Sequence, residues 1–316
     1  MKAILLHDGD SREIAGNLLK TIKKQSIHGE TLLLEGAWES AESYIGEILA
    51  DTTHVIAVFS NPVGSGPSGL SLFSFAAGFA LGACLPLVFY GEGSPSLAPR
   101  FVKNFSQFTN DAEFLAYMVR EAEEWKRDHT LKQARSSLLE RGMPVTVDYL
   151  GRCIAEKNGE AVALFLQAGF SPDTLDKTGV PLLCLASRSG DREIVKLLLK
   201  NGASVNLPAR DRGGSALIDA ALGKYSDILG DLLKVGADTD VKTKDGQSAL
   251  IIAVGLNDEP AVELLLKAGA NADDPDSLGA SARKYAALFN RSGMAKLFAA
   301  YAPPAPEKQE KPCPGK

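Results

Sequence analysis

The chain has 316 residues, 45% of them apolar and 23% charged, with 34 basic against 39 acidic side chains for a net charge of −5. That apolar share argues against wholesale disorder, and the acidic balance lacks the basic footprint of a nucleic-acid binder. At ~150 residues per domain, two units are expected.

Sorting signals and redox frameworks are equally unpromising. The longest apolar stretch, residues 70–90, is broken by Gly78, Gly82 and Pro86, so no segment reaches the ~20 residues of a membrane helix. The apolar start Ala3-Ile4-Leu5-Leu6 is shorter than the ~7–15 residues of a secretory signal. Cys84, Cys153, Cys184 and Cys313 form no CxxC pair, and His28, His54 and His129 have no metal-ligand spacing. No disulfide framework or metal site is expected. A cytoplasmic location follows as the default.

In chain order, the first 110 residues alternate short apolar runs with helical patterns. Strands are predicted at 3–7, 31–35, 54–60 and 86–90, with a weak fifth at 105–109; helices are predicted at 11–24, 40–49 and 70–84. Such alternation implies a parallel sheet with helices on both faces, a three-layer α/β domain. Val55-Ile56-Ala57-Val58-Phe59 is continuously apolar, as a strand buried on both faces should be.

The stretch 51–90 contains Val58-Phe59-Ser60-Asn61, then Phe75-Ala76-Ala77-Gly78-Phe79-Ala80-Leu81-Gly82, then Pro86-Leu87-Val88-Phe89-Tyr90. It resembles the Toll/interleukin-1 receptor (TIR)-like superfamily and its nucleoside deoxyribosyltransferase relatives, which share a flavodoxin-type fold. Taken over the domain 1–110, the resemblance covers about a third of the chain, and it implies a catalytic glutamate on the helix after the third strand, serving N-glycosidic bond cleavage. No carboxylate occurs between Asp51 and Glu92. Should Ala76 stand at that position, a methyl has replaced the acid.

Three clusters in this half invite a functional reading, each beside a plainer one. His7, Asp8 and Asp10 follow the first strand; in a 2-1-3-4-5 strand order they face Ser60, Asn61 and Ser65, where ligands of such sheets sit. They could hold a phosphate with Mg²⁺, or Asp10 or Ser11 could simply cap the first helix. Gly64-Ser65-Gly66-Pro67-Ser68-Gly69 spells a nucleotide loop, with Ser65, Gly66 and Ser68 as candidate contacts, or a flexible connection; Pro67 removes one donor. A nucleotide or NAD is the ligand class these residues would take, and no cofactor is established by them. Trp38, in Glu35-Gly36-Ala37-Trp38, is either an anchor for self-association, as the TIR resemblance implies, or a side chain packed under its own loop.

Residues 111–141 read as one long connecting helix with Phe114, Met118, Ala122 and Trp125 on a single stripe. Its first half should close the α/β domain and its second half lead into the next unit.

Beyond it the sequence repeats. Gly169-Phe170-Ser171-Pro172-Asp173, Gly202-Ala203-Ser204-Val205-Asn206, Gly236-Ala237-Asp238-Thr239-Asp240 and Gly269-Ala270-Asn271-Ala272-Asp273 recur every ~33 residues, each after an amphipathic helix. This pattern resembles the ankyrin repeat family. Its Thr-Pro-Leu-His-x-Ala box is matched by Val180-Pro181-Leu182-Leu183-Cys184-Leu185 and by Ser248-Ala249-Leu250-Ile251-Ile252-Ala253, with no histidine kept. An all-α ankyrin solenoid over residues 142–302 is expected, of four to five repeats. A shortened turn between Val145 and Asp148 would make the first repeat a degenerate cap, and Arg283 and Lys284 would mark the last. Residues 303–316, rich in Pro, Lys and Glu, read as a disordered tail. The resemblance implies protein binding through hairpin tips, here including the basic Lys177, Arg210, Arg212, Lys242 and Lys244, which could equally be ordinary solvated tips. The chain therefore reads as a non-catalytic interaction protein; the alternative is an NAD or nucleoside glycosidase with an ankyrin targeting module.

Overall fold

The fold is taken from a computed structural model that describes residues 1–7, 10–33, 51–58, 85–91 and 105–301, with 78, 80 and 83. The chain divides into two compact units, residues 1–129 and 130–316.

The first unit is built on five parallel strands: β1 (Lys2–His7), β2 (His28–Leu33), β3 (His54–Val58), β4 (Leu87–Tyr90) and β5 (Phe105–Phe108). Their order is β2-β1-β3-β4-β5, the order on which the ligand-site expectation depended. Helix α1 (Arg12–Lys24) and the first half of α2 (Asp111–Glu140) cover one face. There Ala15, Leu18 and Ile22 of α1 join Phe114 and Met118 of α2 over Ala3, Leu5, Ile56, Val58, Val88 and Tyr90. On the opposite face Ile4, Leu6, Val55, Ala57 and Phe89 are buried as well, which explains why β3 carries no polar alternation.

Strand β2 starts earlier than predicted. It runs from His28 rather than from residue 31, and Glu35 lies outside the described residues. Its opening His28-Gly29-Glu30 has poor strand propensity, but pairing with β1 from Lys2↔His28 onward overrides it. Gly29 has a steric reason to be there. A Cβ at that position would stand 2.8 Å from the Cδ1 atoms of both Ile22 and Leu19, so any larger residue would have to push these side-chain tips aside. The predicted helix 40–49 and most of 70–84 lie outside the described residues.

The second unit is a stack of helix pairs: α3 (Val147–Ala155) with α4 (Gly159–Gln167), α5 (Leu182–Ser189) with α6 (Arg192–Lys200), α7 (Ala216–Leu222) with α8 (Ser226–Lys234), α9 (Ala249–Gly255) with α10 (Glu259–Lys267), and α11 (Ala282–Leu288) with α12 (Ser292–Tyr301). First helices pack side by side along the stack, and second helices do the same. One continuous core results, from Ala134 and Leu138 in the second half of α2 to Met294 and Phe298 in α12. The glycine ending each preceding helix adopts a left-handed φ: +69° at Gly142, +95° at Gly169, +86° at Gly202, +89° at Gly236 and +90° at Gly269. A side chain is strained there, which is why the period is written in glycine.

The pattern changes at the two ends of the array. Only residues 143–146 separate Gly142 from α3, whose first turn Thr146 caps by accepting from the Tyr149 N–H. At the far end Lys284 is exposed and Arg283 half-buried, where Ile251 and Leu250 one repeat earlier are buried.

The first box needs a correction of one residue. Pro181, Ser215, Ser248 and Ser281 occupy the helix-capping positions of α5, α7, α9 and α11. Antiparallel bridges at Leu175↔Pro181, Lys242↔Ser248 and Pro275↔Ser281 fix the same register. The box therefore starts at Pro181 rather than Val180, and Cys184, Ile218, Ile251 and Lys284 stand where the family box has its histidine. Proline fits the first position because its backbone is already extended (φ −61°, ψ 146°).

Candidate functional site

Two places concentrate the polar chemistry of the described residues, one in each unit. In the first, parallel pairing brings His7, Val58 and Tyr90 into one row at the carboxyl ends of β1, β3 and β4. His7 is buried, Asp10 is exposed, and Ser11 occupies the cap position of α1 without a side-chain hydrogen bond to the helix. The Tyr90 hydroxyl donates to Asp111 at the start of α2. Burial, reinforced by that carboxylate, pushes the Tyr90 phenol up to about 12. Asp8, Ser60, Asn61, Ser65, Gly66, Ser68 and Trp38 lie outside the described residues.

The amino-terminal side of this sheet holds a second polar group. His54, buried at the start of β3, contacts Glu121 of α2 at 3.2 Å and the Thr53 hydroxyl at 3.1 Å. Thr53 donates its own proton to the Lys2 carbonyl at 2.8 Å and accepts from the Lys2 N–H at 3.0 Å. Its hydroxyl is thus committed to the backbone and is no nucleophile. Burial pulls the His54 pKa below its ordinary value, against the opposing pull of Glu121.

In the array, polar side chains tie each repeat to the next. Asp173 accepts from the Ser204 N–H at 2.7 Å and the Ser204 hydroxyl at 2.6 Å. One repeat on, Asn206 accepts from the Asp238 N–H at 2.9 Å and donates to the Gly236 carbonyl at 3.2 Å. Asp173 and Asn206, which close the first two periodic strings, thus each serve the next repeat's loop. The hairpin tips form a second ladder, with N–H groups of Arg210, Lys244 and Ser277 donating to the carbonyls of Gly179, Arg212 and Asp245.

Most of the basic tip residues take part in this internal bonding. Lys177 pairs with Asp148 at 2.5 Å, and Lys242 pairs with Asp274 at 2.7 Å while donating to the Pro275 carbonyl. Lys244 donates to the carbonyls of Arg210 and Asp211. The Arg210 stem lies over Gly179, where a Cβ would stand 2.6 Å from its Cδ. Arg210 and Arg212 are exposed.

A charge clamp between α5 and α7 went unread in the sequence. The Arg188 guanidinium donates through Nε to Asp219 at 2.8 Å and grips Asp211 with both terminal nitrogens at 2.7 and 3.1 Å. Asp219 is 3% exposed, and its second oxygen is buried without a hydrogen-bond partner. Burial pushes the Asp219 carboxyl up, with Arg188 opposing, while Arg188 holds Asp211 below the usual carboxylate range. Burial also raises the adjacent Cys184 thiol to about 12, with Asp219 adding to it. A thiol so placed is unreactive. The signal was available by comparing repeats: Asp219 stands where Leu185, Ile252 and Tyr285 stand in theirs, but the one-residue misregister of the first box hid the match.

Exposed apolar residues are the other unread feature. Leu222 (40%), Leu288 (74%) and Phe289 (45%) are open at the carboxyl ends of first helices. No three His, Cys, Asp or Glu side chains gather to hold a metal among the described residues, and none of their helices is long and apolar enough to cross a membrane.

Comparison with known proteins places the array. The family model for ankyrin repeats (three copies) matches residues 150–243 and 217–308. An ankyrin repeat-containing protein of Treponema pallidum is 30% identical over 299 residues, covering 94% of this chain and 99% of that protein. The potassium channel AKT2/3 of Arabidopsis thaliana is 32% identical over 42% of this chain and 16% of the channel. The B-cell lymphoma 3 protein homolog of Mus musculus is 35% identical over 44% of this chain and 31% of its own length. With the stacked helix pairs, the glycine-marked period and a full-length relative agreeing, the chain belongs to the ankyrin repeat family.

Proposed function

We propose that this is a non-catalytic interaction protein whose repeat array binds a protein partner. The observation that carries the reading is the stack itself: its polar side chains are spent on holding neighbouring repeats in register, and side chains such as Leu222, Leu288 and Phe289 are left facing solvent. A rigid, repeated surface with exposed apolar anchors is suited to holding a protein. Affinity capture with the full chain, followed by the same capture with residues 130–302 and with residues 1–129, tests this. The same partner should be recovered by the full chain and by the array. A partner retained only by residues 1–129 would remove the array from the reading.

The strand order of the first unit supports a second role for that unit, as a TIR-like domain for association or nucleotide sensing. In such open sheets, ligands sit beyond the carboxyl ends of strands where the connections diverge. Here that point lies between β1 and β3, beside His7. Asp8, Asp10, Ser60, Asn61, Ser65, Gly66 and Ser68 would line it, with a nucleotide or NAD as ligand and Trp38 available for self-association. A thermal-shift series with NAD and common nucleotides, run beside an assay for released base, separates the possibilities. A shift without release supports sensing. Release abolished by Asp8→Ala would replace the non-catalytic reading with a glycosidase.

A further inference from the structure

We propose that His54, Thr53 and Glu121 form a proton-binding site in the first unit. Its ring takes up and releases a proton at Nδ1 by reversing one hydrogen bond, while the Nε2–H bond to α2 stays in place.

The His54 ring, in a residue only 3% exposed, meets two oxygens: Thr53 Oγ1 at 3.1 Å through Nδ1 and Glu121 Oε2 at 3.2 Å through Nε2. A carboxylate accepts only, so Nε2 must carry a hydrogen while Glu121 is ionised. Thr53 Oγ1 accepts from the Lys2 N–H and gives its own hydrogen to the Lys2 carbonyl. With the hydroxyl turned that way Nδ1 must donate too, and two donating nitrogens make the ring an imidazolium. A neutral ring needs one reversal. Nδ1 then accepts, and the Thr53 hydroxyl is placed to supply the hydrogen while its oxygen keeps the Lys2 N–H. The Lys2 carbonyl can spare that hydrogen because it also accepts the Thr53 N–H at 2.8 Å. One hydroxyl rotation thus serves both states and leaves none of these buried polar groups unpaired. The other neutral tautomer does not fit. A hydrogen on Nδ1 alone would set the Nε2 lone pair against the Glu121 carboxylate.

The sheet itself does not call for such a group. Val55 and Ile56, the next residues of β3, are apolar and fully buried, and a strand covered on both faces is ordinarily apolar throughout. Burial is the largest influence on the ring and disfavours its charged form; Glu121 favours it, and the Met1 amino group opposes it. Other charged groups at this end of the sheet face elsewhere. Lys2 Nζ and His28 Nε2 both lie against Glu30 of β2, at 3.6 and 3.4 Å, and Asp51 is exposed. On α2, Tyr117 shares the Glu121 carboxylate by a hydrogen bond and carries Arg120 over its ring at 5.5 Å. Glu121 is therefore the carboxylate that answers the ring's charge.

NMR of the full chain with isotope-labelled histidine rings tests this, because nitrogen shifts report which ring nitrogen carries a hydrogen. At about pH 8, above the ordinary histidine value of ~6.5, His54 should be the Nε2–H tautomer, and acidification should add the second hydrogen at Nδ1. Thr53→Val removes the reversible partner and should weaken proton uptake about tenfold; Thr53→Ser should restore it. Glu121→Gln should let the Nδ1–H tautomer appear, since an amide can donate to Nε2 where a carboxylate cannot. An Nδ1–H ring in the native chain at high pH would overturn the proposal, and so would a proton affinity untouched by Thr53→Val. Should that variant fail to fold, Glu121→Gln decides: a tautomer indifferent to the loss of the carboxylate defeats the assignment.

Discussion

The two units bury their apolar side chains by opposite strategies. In the sheet, each strand is unique: β3 is buried on both faces, β2 tolerates Gly29 against α1, and His54 has no counterpart elsewhere. In the array, every position has equivalents at ~33-residue steps, and a residue's role can be read from its copies. Asp173 and Asn206 do the same work one repeat apart. The difference teaches where to look for specialisation: in a repeat, the informative residue is the one unlike its equivalents. Arg188 and Asp219 are such residues.

The array's shared core gives the largest expected effect. Phe165 is fully buried and meets Phe170 edge-on at 5.3 Å; Phe165→Ala should cost about 3–5 kcal/mol in denaturant titration. A loss near zero would show that repeats relax independently of one another.

The clamp comes next. Asp219→Ala leaves Arg188 with Asp211 alone and should cost about 3 kcal/mol. The double change Arg188→Leu with Asp219→Leu restores the apolar residues that equivalent positions carry, and should recover most of that loss. A double variant as unstable as the single one would show that the clamp is more than an expensive substitute for leucine.

The sheet's comparable group is His54, and its effect is smaller. Burial holds its folded pKa below the ordinary value of 6.5. The unfolded chain therefore binds the proton more readily, so the stability of this unit is complete above about pH 6.5 and declines as pH falls through the lowered value. An NMR titration of the His54 ring should report a pKa under 6.5, and Glu121→Gln should lower it further by removing the opposing charge. An upward movement in the variant would contradict the assigned causes.

At the small end stands Lys177→Ala. The pair with Asp148 is short but solvent-exposed, with Lys177 76% open, so the change should alter stability by under ~1 kcal/mol.

Much of the array was legible in the sequence because its signals are local. A left-handed glycine, an amphipathic helix and an Asp cap such as Asp191, which accepts from the Glu193 and Ile194 N–H groups, all lie within a few residues of one another. The misplaced first box shows the limit: Pro181 occupies a position filled by serine elsewhere, and its register is fixed by its place at the start of α5 and by the bridge Leu175↔Pro181. In the sheet, the strand series was legible from apolar runs, but the start of β2 depends on pairing with β1, a long-range event invisible to local propensity. The pairing of His54 with Glu121 spans 67 residues, and Arg188 meets Asp219 across 31. No spacing rule links such partners: comparing repeats marks Asp219 as the odd residue, but its pairing with Arg188 had to be seen folded.

The relay from Asp173 to Ser204 and from Asn206 to Asp238 has a consequence for how such a chain can change in length. At these two junctions the earlier repeat supplies the side-chain acceptor and the later one the backbone donor. A duplicated stretch of whole repeat length would find both already waiting, whereas a gain or loss of a few residues would leave an amide facing nothing. Growth by copying is therefore chemically neutral in this half of the molecule, and its size is free to vary in quanta.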